Sequence, residues 1–488
     1  MAGDFSKAAE LYKTALASNP GQPDLAVGLV HSLLRQQRVI EAADTVHALI
    51  GDKPATGELL TLRAEVELRQ GEPWAAADTA AASAKLDSCN PRTIFVFARL
   101  AALNSRPVAA HKLLAGAHYL DPEDPEIRAA WMEGLPTAER IKETDAYLAA
   151  PRGDDADTLS DRKLDLDELK KWAAETHGPC TLVSKIAGTT IPFTAIRSTR
   201  GYDSYDAVDV KVNNHNIRLA LDTSYNPRLP IGDVSGLLIL KSAAEHMGLK
   251  PLFENDVPSI GPGGPRHGYV AYADSISIGD VEFHNCAVQV MEGPFWNDAD
   301  GAISPSLLSD FLITLDFPAH KLILGPLPQL PQNGLPNGPI DRYIAPEMKD
   351  YTEVYRAGSD LILPVMVDGK YPSLFLMDTA MDYTMLSPMA SHEFAEGRKD
   401  SKYEVRDLSG KADVRFSAGD ISLMFAHVTQ NVSHVASYDT ARFSRDAGME
   451  IAGFLGNQTL EMLTIHIDYR DGLVKVEFDA KHPNVFAH

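Results

Sequence analysis

The sequence predicts a multidomain α + β chain, with an N-terminal α-helical solenoid followed by two all-β lobes. Three observations carry that reading. Alanine recurs every 34 residues near the start, at Ala8, Ala42, Ala76 and Ala110. From about residue 181 apolar residues alternate with polar ones, the period of a half-buried strand. This alternating part holds two copies of one pattern, offset by 152 to 156 residues.

Composition narrows the function classes. A chain of 488 residues, 44% hydrophobic and 23% charged, can build several cored domains, which excludes disorder, collagen and coiled coil as the overall class. With 67 acidic against 45 basic residues the formal charge is −22, which repels phosphate backbones and anionic headgroups. Nucleic acid and membrane surfaces are therefore not expected partners. No run approaches the roughly 18 apolar residues of a membrane helix. Cys89, Cys180 and Cys286 are separated by 91 and 106 residues without a CxxC pair, so neither a disulfide framework nor a thiolate zinc site is suggested. The 16 histidines show no ligand spacing for zinc. No metal or other cofactor is expected.

Residues 1–136 read as the repeat array. Gly3 and Gly71 lie two periods apart, and Pro20, Pro54 and Pro122 sit on the same grid, with Pro91 displaced by a small insertion. Each proline stops a helix, and DLAVGLVHSLLRQQ followed by VIEAADTVHALI gives two helices per period. The run GDFSKAAELYKTALASNP at residues 3–20 resembles the second helix of a tetratricopeptide repeat. That resemblance implies a concave surface holding a peptide or partner protein. Because residue 3 already falls in a second helix, upstream repeats and a leader are expected before it. Residues 137–180 read as a charged helix and an acidic linker.

The first β-rich copy spans residues 181–325 and the second 345–488, joined by a Pro/Gly-rich link at 326–344. In VDVKVNNHNIRLALDTS, Val208, Val210 and Val212 alternate, Asn213 and Asn214 turn, and Ile217, Leu219 and Leu221 lead to Asp222. In LPVMVDGKYPSLFLMDTA, Val365 and Val367, Asp368 and Gly369, then Leu374 and Leu376 lead to Asp378. The stretches LLILKSAAEHMGL and MLSPMASHEFAEG are then read as helical. Gly301 and Gly453 open a later apolar segment 79 and 75 residues after these aspartates.

These paired features resemble the retropepsin-like aspartic peptidases, whose lobes carry Asp-Thr/Ser-Gly after a hairpin and a later apolar-apolar-Gly turn. The resemblance implies two barrel lobes facing their aspartates across a cleft, tethered here in one chain and so expected to be a monomer. Asp222 and Asp378 are then the catalytic pair, two carboxylates close enough to share one proton and serve as acid and base. Thr223 and Thr379 are expected to hydrogen-bond across to the opposite loop. Ser224 and Ala380 stand where the family has glycine, and Ser304 where it has the second glycine, while Phe454-Leu455-Gly456 keeps the pattern. Replacing Ser224 and Ala380 by glycine is expected to preserve or raise activity. The run GPGGPRHGYVAYA, with Gly264, Gly268, Tyr269 and Tyr272, is the expected mobile hairpin, a tyrosine closing over the cleft.

The leading reading is an aspartic endopeptidase, active below about pH 6, whose repeats recruit a protein or peptide substrate and which acts as an exported protein. The alternative is a non-catalytic protein that uses the duplicated scaffold to capture peptides. No HExxH, GxSxG or GxxxxGK[ST] pattern supports another chemistry.

Overall fold

The computed structural model describes residues 3–20, 22–51, 55–175, 178–197, 204–227, 234–257, 266–293, 299–331, 341–394, 397–398, 405–407, 410–412, 414–478 and 485–487. They divide into two units. One comprises residues 1–174 with 443–450, and the other residues 175–442 with 451–488.

Among the described residues up to 174, ten helices run from Phe5–Ser18 to Ala156–Ala174. The alanine grid is the packing grid, since Ala8, Ala42, Ala76 and Ala110 are between 0% and 7% exposed. Small side chains there let neighbouring helices approach. A second grid, of which sequence showed half, lies in the turns. Gly3, Gln37, Gly71 and Ser105 are spaced by 34 and all take positive φ, from 54° to 78°. Behind each of the last three, the amide of the next residue reaches back over the helix end: Arg38 to the Leu33 carbonyl, Glu72 to Glu67, Arg106 to Ala101. This satisfies carbonyls that the helix end leaves open and bends the chain into the next helix. Residues 137–174 are not a loose connector. They form the helices Thr137–Ala149 and Ala156–Ala174, the latter burying Leu166 and Leu169. Their apolar stripe is narrow and sits among so many charges that composition concealed it. No described helix is long and apolar enough to cross a membrane.

The second unit is β-rich and has two lobes. In the first lobe the hairpin Ser204–Val212 with His215–Leu221 turns at Asn213 and Asn214, both with positive φ, as the tight right-twisted hairpin requires. Val208, Val210, Val212, Leu219 and Leu221 are buried. In the second lobe Asp360–Val367 pairs with Tyr371–Met377 around Asp368 and Gly369, again at positive φ. The apolar run LLIL, read from sequence as helical, belongs to the strand Val234–Leu240, and only Lys241–His246 is helix. Likewise Met385–Leu386 is strand before the helix Pro388–Phe394. Short apolar runs carry no period that separates the two states.

The lobes share a six-stranded antiparallel sheet. Its order is Thr352–Glu353, Leu473–Phe478, Leu463–Asp468, Phe311–Asp316, Lys321–Pro326 and Thr189–Pro192, three strands from each lobe. The buried faces of both lobes meet in one continuous core with Phe311, Ile313, Leu315, Ile465 and Ile467 at its middle. This shared sheet fixes one lobe against the other, and so fixes the two Asp-Thr loops against each other. Most of the Pro/Gly-rich link, residues 332–340, lies outside the described residues.

Candidate active site

Each Asp-Thr loop is launched by a hairpin strand and clamped by the later glycine-led strand. Gly301–Ile303 lies parallel to His215–Leu221, with Gly301 opposite Leu219 and Ile303 opposite Leu221. Gly453–Leu455 lies parallel to Tyr371–Met377, with Gly453 opposite Phe375 and Leu455 opposite Met377. One register step further the amide of Asp222 donates to the Ile303 carbonyl at 2.9 Å and that of Asp378 to Leu455 at 3.0 Å. Glycine is needed at 301 and 453 because a Cβ there would overlap the carbonyl oxygens of Leu238 and Met385.

The two loops interlock. Thr223 donates its hydroxyl to the Met377 carbonyl at 2.9 Å and accepts the Thr379 amide at 3.1 Å. Thr379 does the same in reverse, to the Leu221 carbonyl at 2.9 Å and from the Thr223 amide at 3.1 Å. Both threonines are buried. A hydroxyl suits the exchange because it donates and accepts at once. The aspartates immediately before them are thereby held together at the junction of the lobes.

Their surroundings differ. Oδ1 of Asp222 accepts the amide and the hydroxyl of Ser224, both at 2.9 Å. Oδ1 of Asp378 accepts the Ala380 amide at 2.9 Å. Burial pushes the Asp222 carboxyl above its usual range, and the Ser224 hydroxyl and the amides of Ser224 and Tyr225 pull it back. Burial and then the charge of Asp222 push Asp378 up to about 8. Both carboxyls are thus pushed up by burial, and on Asp378 the charge of Asp222 adds to that push while the Ala380 amide and the Ser224 hydroxyl oppose it. Ser224 is not merely a tolerated Cβ in the glycine position, as sequence suggested. Its hydroxyl donates to the Asp222 carboxyl, a hydrogen bond that glycine there would remove.

Residues 208–317 match the aspartyl protease family model. Residues 1–66 match a tetratricopeptide repeat model. Among solved structures, a retropepsin-like aspartic protease from Rickettsia conorii is 21% identical over 29% of this chain and 96% of its own, with a TM-score of 0.20. An aspartic proteinase from Irpex lacteus is 11% identical over 60% of this chain and 98% of its own, with a TM-score of 0.35. No curated protein matches. The aspartyl protease match falls on the lobe whose short motifs depart further from the family.

That lobe keeps its geometry by moving a glycine. In the second lobe Gly456 faces Tyr383, and a Cβ on Gly456 would overlap the Tyr383 carbonyl. In the first lobe the equivalent pair is Ser304 and Gly236. The Ser304 amide donates to the Gly236 carbonyl at 2.8 Å, and Gly236 takes φ +69°. A Cβ on Gly236 would stand 3.2 Å from Cβ of Ser304, so glycine there leaves the serine room as well as meeting the positive φ. Ser304 then caps the short turn Pro305–Leu308. Sequence reading looked for glycine only at position 304 and so missed Gly236, whose sole signal was an isolated glycine inside a strand.

The expected covering hairpin is Pro251–Val257 with Arg266–Ile278. Its tip, Gly264 included, lies outside the described residues. Gly268 allows close pairing, since a Cβ would overlap the Val290 carbonyl. Sequence offered Tyr269 or Tyr272 as the ring over the cleft. Tyr269 is instead buried in the core with Met247 and Leu249, and the Tyr272 hydroxyl donates to the Gly178 carbonyl at 2.7 Å. The two are three positions apart and face opposite sides of the strand. Tyr225 donates its hydroxyl to Gln289 at 2.7 Å and anchors the Asp222 loop to the sheet.

Cysteine spacing misled as well. Cys180 and Cys286 form a disulfide. Thr181–Leu182 pairs with Val281–Met291, Thr181 opposite His284, which brings the two thiols together across 106 residues. Only the tertiary pairing reveals this, because spacing alone does not assign connectivity.

Proposed function

We propose that this chain is an aspartic endopeptidase in which Asp222 and Asp378 share one proton across the lobe junction. The reciprocal hydrogen bonds of Thr223 and Thr379 support the reading, because they interlock the two loops that carry Asp378, which is buried, and Asp222, which is half-buried. Asp222, the better solvated by hydrogen bonds, is the base that activates water. Asp378 is the acid that protonates the scissile carbonyl oxygen. Water attacks the carbonyl carbon and its proton passes to Asp222; the tetrahedral adduct then collapses as Asp222 gives that proton to the leaving nitrogen and an adduct hydroxyl returns a proton to Asp378. One of the two carboxyls is protonated and the other ionised between the two titrations, and the upward push on Asp378 extends that interval towards neutral pH. Activity is thus expected above the limit of about pH 6 read from sequence.

The tetratricopeptide match supports recruitment of a protein substrate or partner by the repeats. The disulfide fits an oxidising compartment, in keeping with a peptidase acting outside the cytoplasm. The test is cleavage of unfolded proteins between about pH 3 and 9 by the wild type, Asp222→Asn and Asp378→Asn. Each variant should lose cleavage, since one carboxylate cannot be acid and base together. Equal cleavage by all three would sink the reading, and no cleavage by any would favour the peptide-capture alternative.

A further inference from the structure

We propose that Ser359 and Asn226 form a clamp between the lobes that positions the Asp222 loop, with Ser359 supplying a hydrogen-bond donor that Pro305 cannot provide. The inference rests on the proposed reading of Asp222 and Asp378 and deepens it. The two copies close their Asp-Thr loops differently. In the second lobe the donors are local: the Asn457 amide donates to the Met381 carbonyl at 2.7 Å and the Gln458 amide to the Asp382 carbonyl at 3.0 Å. The matched strand registers make Tyr225, Asn226, Pro305 and Ser306 the counterparts of Met381, Asp382, Asn457 and Gln458. Proline has no N–H. The Ser306 amide turns instead to the Ser304 hydroxyl, at 3.4 Å. Both local donors are therefore lost to the first loop, one through Pro305 and the other through the serine that stands where the second lobe has Gly456.

The second lobe supplies the replacements. The Ser359 hydroxyl donates to the Tyr225 carbonyl at 3.3 Å, and Nδ2 of Asn226 donates to the Ala357 carbonyl at 2.8 Å. Both partners lie at the turn that joins strand Tyr355–Ala357 to strand Asp360–Val367. Gly358 at its tip has φ +68°, and a Cβ there would stand 2.7 Å from Nδ2 of Asn226, so the side-chain amide is seated against bare backbone. The turn is itself fixed, because the Arg356 guanidinium donates to the Gly358 carbonyl at 2.8 Å and to that of Tyr469, which follows strand Leu463–Asp468. The clamp is thus rooted in the sheet that joins the lobes. On the other side the Tyr225 hydroxyl is pinned to Gln289. Held at both ends, Tyr225 keeps its amide among the donors to the Asp222 carboxyl. The Asp222 loop thereby takes its position from the lobe that carries Asp378, in addition to the threonine exchange.

The experiment uses the full chain and compares the wild type with Ser359→Ala, Ser359→Thr, Asn226→Ala, Pro305→Ala and the double variant Pro305→Ala with Ser359→Ala. Hydrogen exchange over residues 222–226 and 378–382 reports the two loops, and kcat and KM for an unfolded protein report the reaction. Ser359→Ala and Asn226→Ala should each speed exchange of the first loop about tenfold, the worth of one hydrogen bond, without changing the second. The value of kcat should fall by a similar factor with KM unchanged, and Ser359→Thr, which keeps the hydroxyl, should match the wild type. Pro305→Ala restores the missing N–H, so Ser359→Ala should matter less in that background. Wild-type exchange in both Ser359→Ala and Asn226→Ala overturns the inference. So does faster exchange at unchanged kcat, or an effect of Ser359→Ala that Pro305→Ala leaves intact. Should Pro305→Ala not fold, the single variants and Ser359→Thr carry the decision. If no form cleaves at any pH, the peptidase reading fails, whereas exchange of the first loop still decides whether the clamp holds it.

Discussion

Thr314 lies opposite His466, the residue 152 positions later that occupies the same place in the second copy, with Oγ1 and Nδ1 2.8 Å apart. In an antiparallel seam a residue faces its own counterpart only where a twofold axis passes. The pseudo-twofold of the duplicated unit therefore runs between these side chains. Thr314→Val leaves the imidazole nitrogen without its partner and should cost about 1–2 kcal/mol. Denaturant unfolding of Thr314→Val and Thr314→Ser checks this, with the serine variant expected near the wild type.

The threonine exchange should be the least replaceable part of the site. Thr223→Val and Thr379→Val each remove one donor and one acceptor from a buried pair, for about 2–4 kcal/mol apiece. Cleavage should fall at least about tenfold with the repeats still folded. The serine variants, which keep the hydroxyl, should retain most activity. Circular dichroism melts beside cleavage rates separate loss of folding from loss of alignment.

Asp378 should make the protein less stable as pH rises. Its folded-state affinity for a proton is raised to about 8, against about 3.9 in an unfolded chain. Between those values the folded form holds a proton that the unfolded form has lost, so this group's contribution is fully retained at low pH and declines on the way up. Asp378→Asn removes the dependence. Its melting temperature should exceed that of the wild type at pH 7, and the gap should close near pH 4.

Gln37 and Ser105 occupy turn positions that Gly3 and Gly71 occupy elsewhere in the array, and they pay for positive φ with a Cβ. Gln37→Gly and Ser105→Gly should each stabilise the repeats by up to about 1 kcal/mol. Glycine is also more flexible when unfolded, which offsets part of the gain. A rise in the melting temperature of either variant confirms the conformational cost, and a fall would mean that Gln37, which accepts from Arg69, matters more through its side chain.

Much of this architecture was legible because it repeats. Ala8, Ala42, Ala76 and Ala110 announced a grid, and Asp222 and Asp378 ended matching hairpins, so duplication supplied evidence that no isolated Asp-Thr could. Features that depend on contact across the fold were hidden. Cys180 meets Cys286 through strand pairing, and Gly236 meets Ser304 through a backbone hydrogen bond between strands far apart in sequence. The helix Ala156–Ala174 was hidden for another reason, since its few buried leucines are outnumbered by charges.

The two glycines Gly236 and Gly456 answer to different constraints. A Cβ on Gly456 would run into the Tyr383 carbonyl whatever side chain stood at 383, whereas Gly236 is held to glycine mainly by its positive φ, with Cβ of Ser304 3.2 Å from where its own would stand. The second lobe's position is therefore closed by backbone, and the first lobe's by conformation, so the same residue type stands in both lobes for two unrelated reasons.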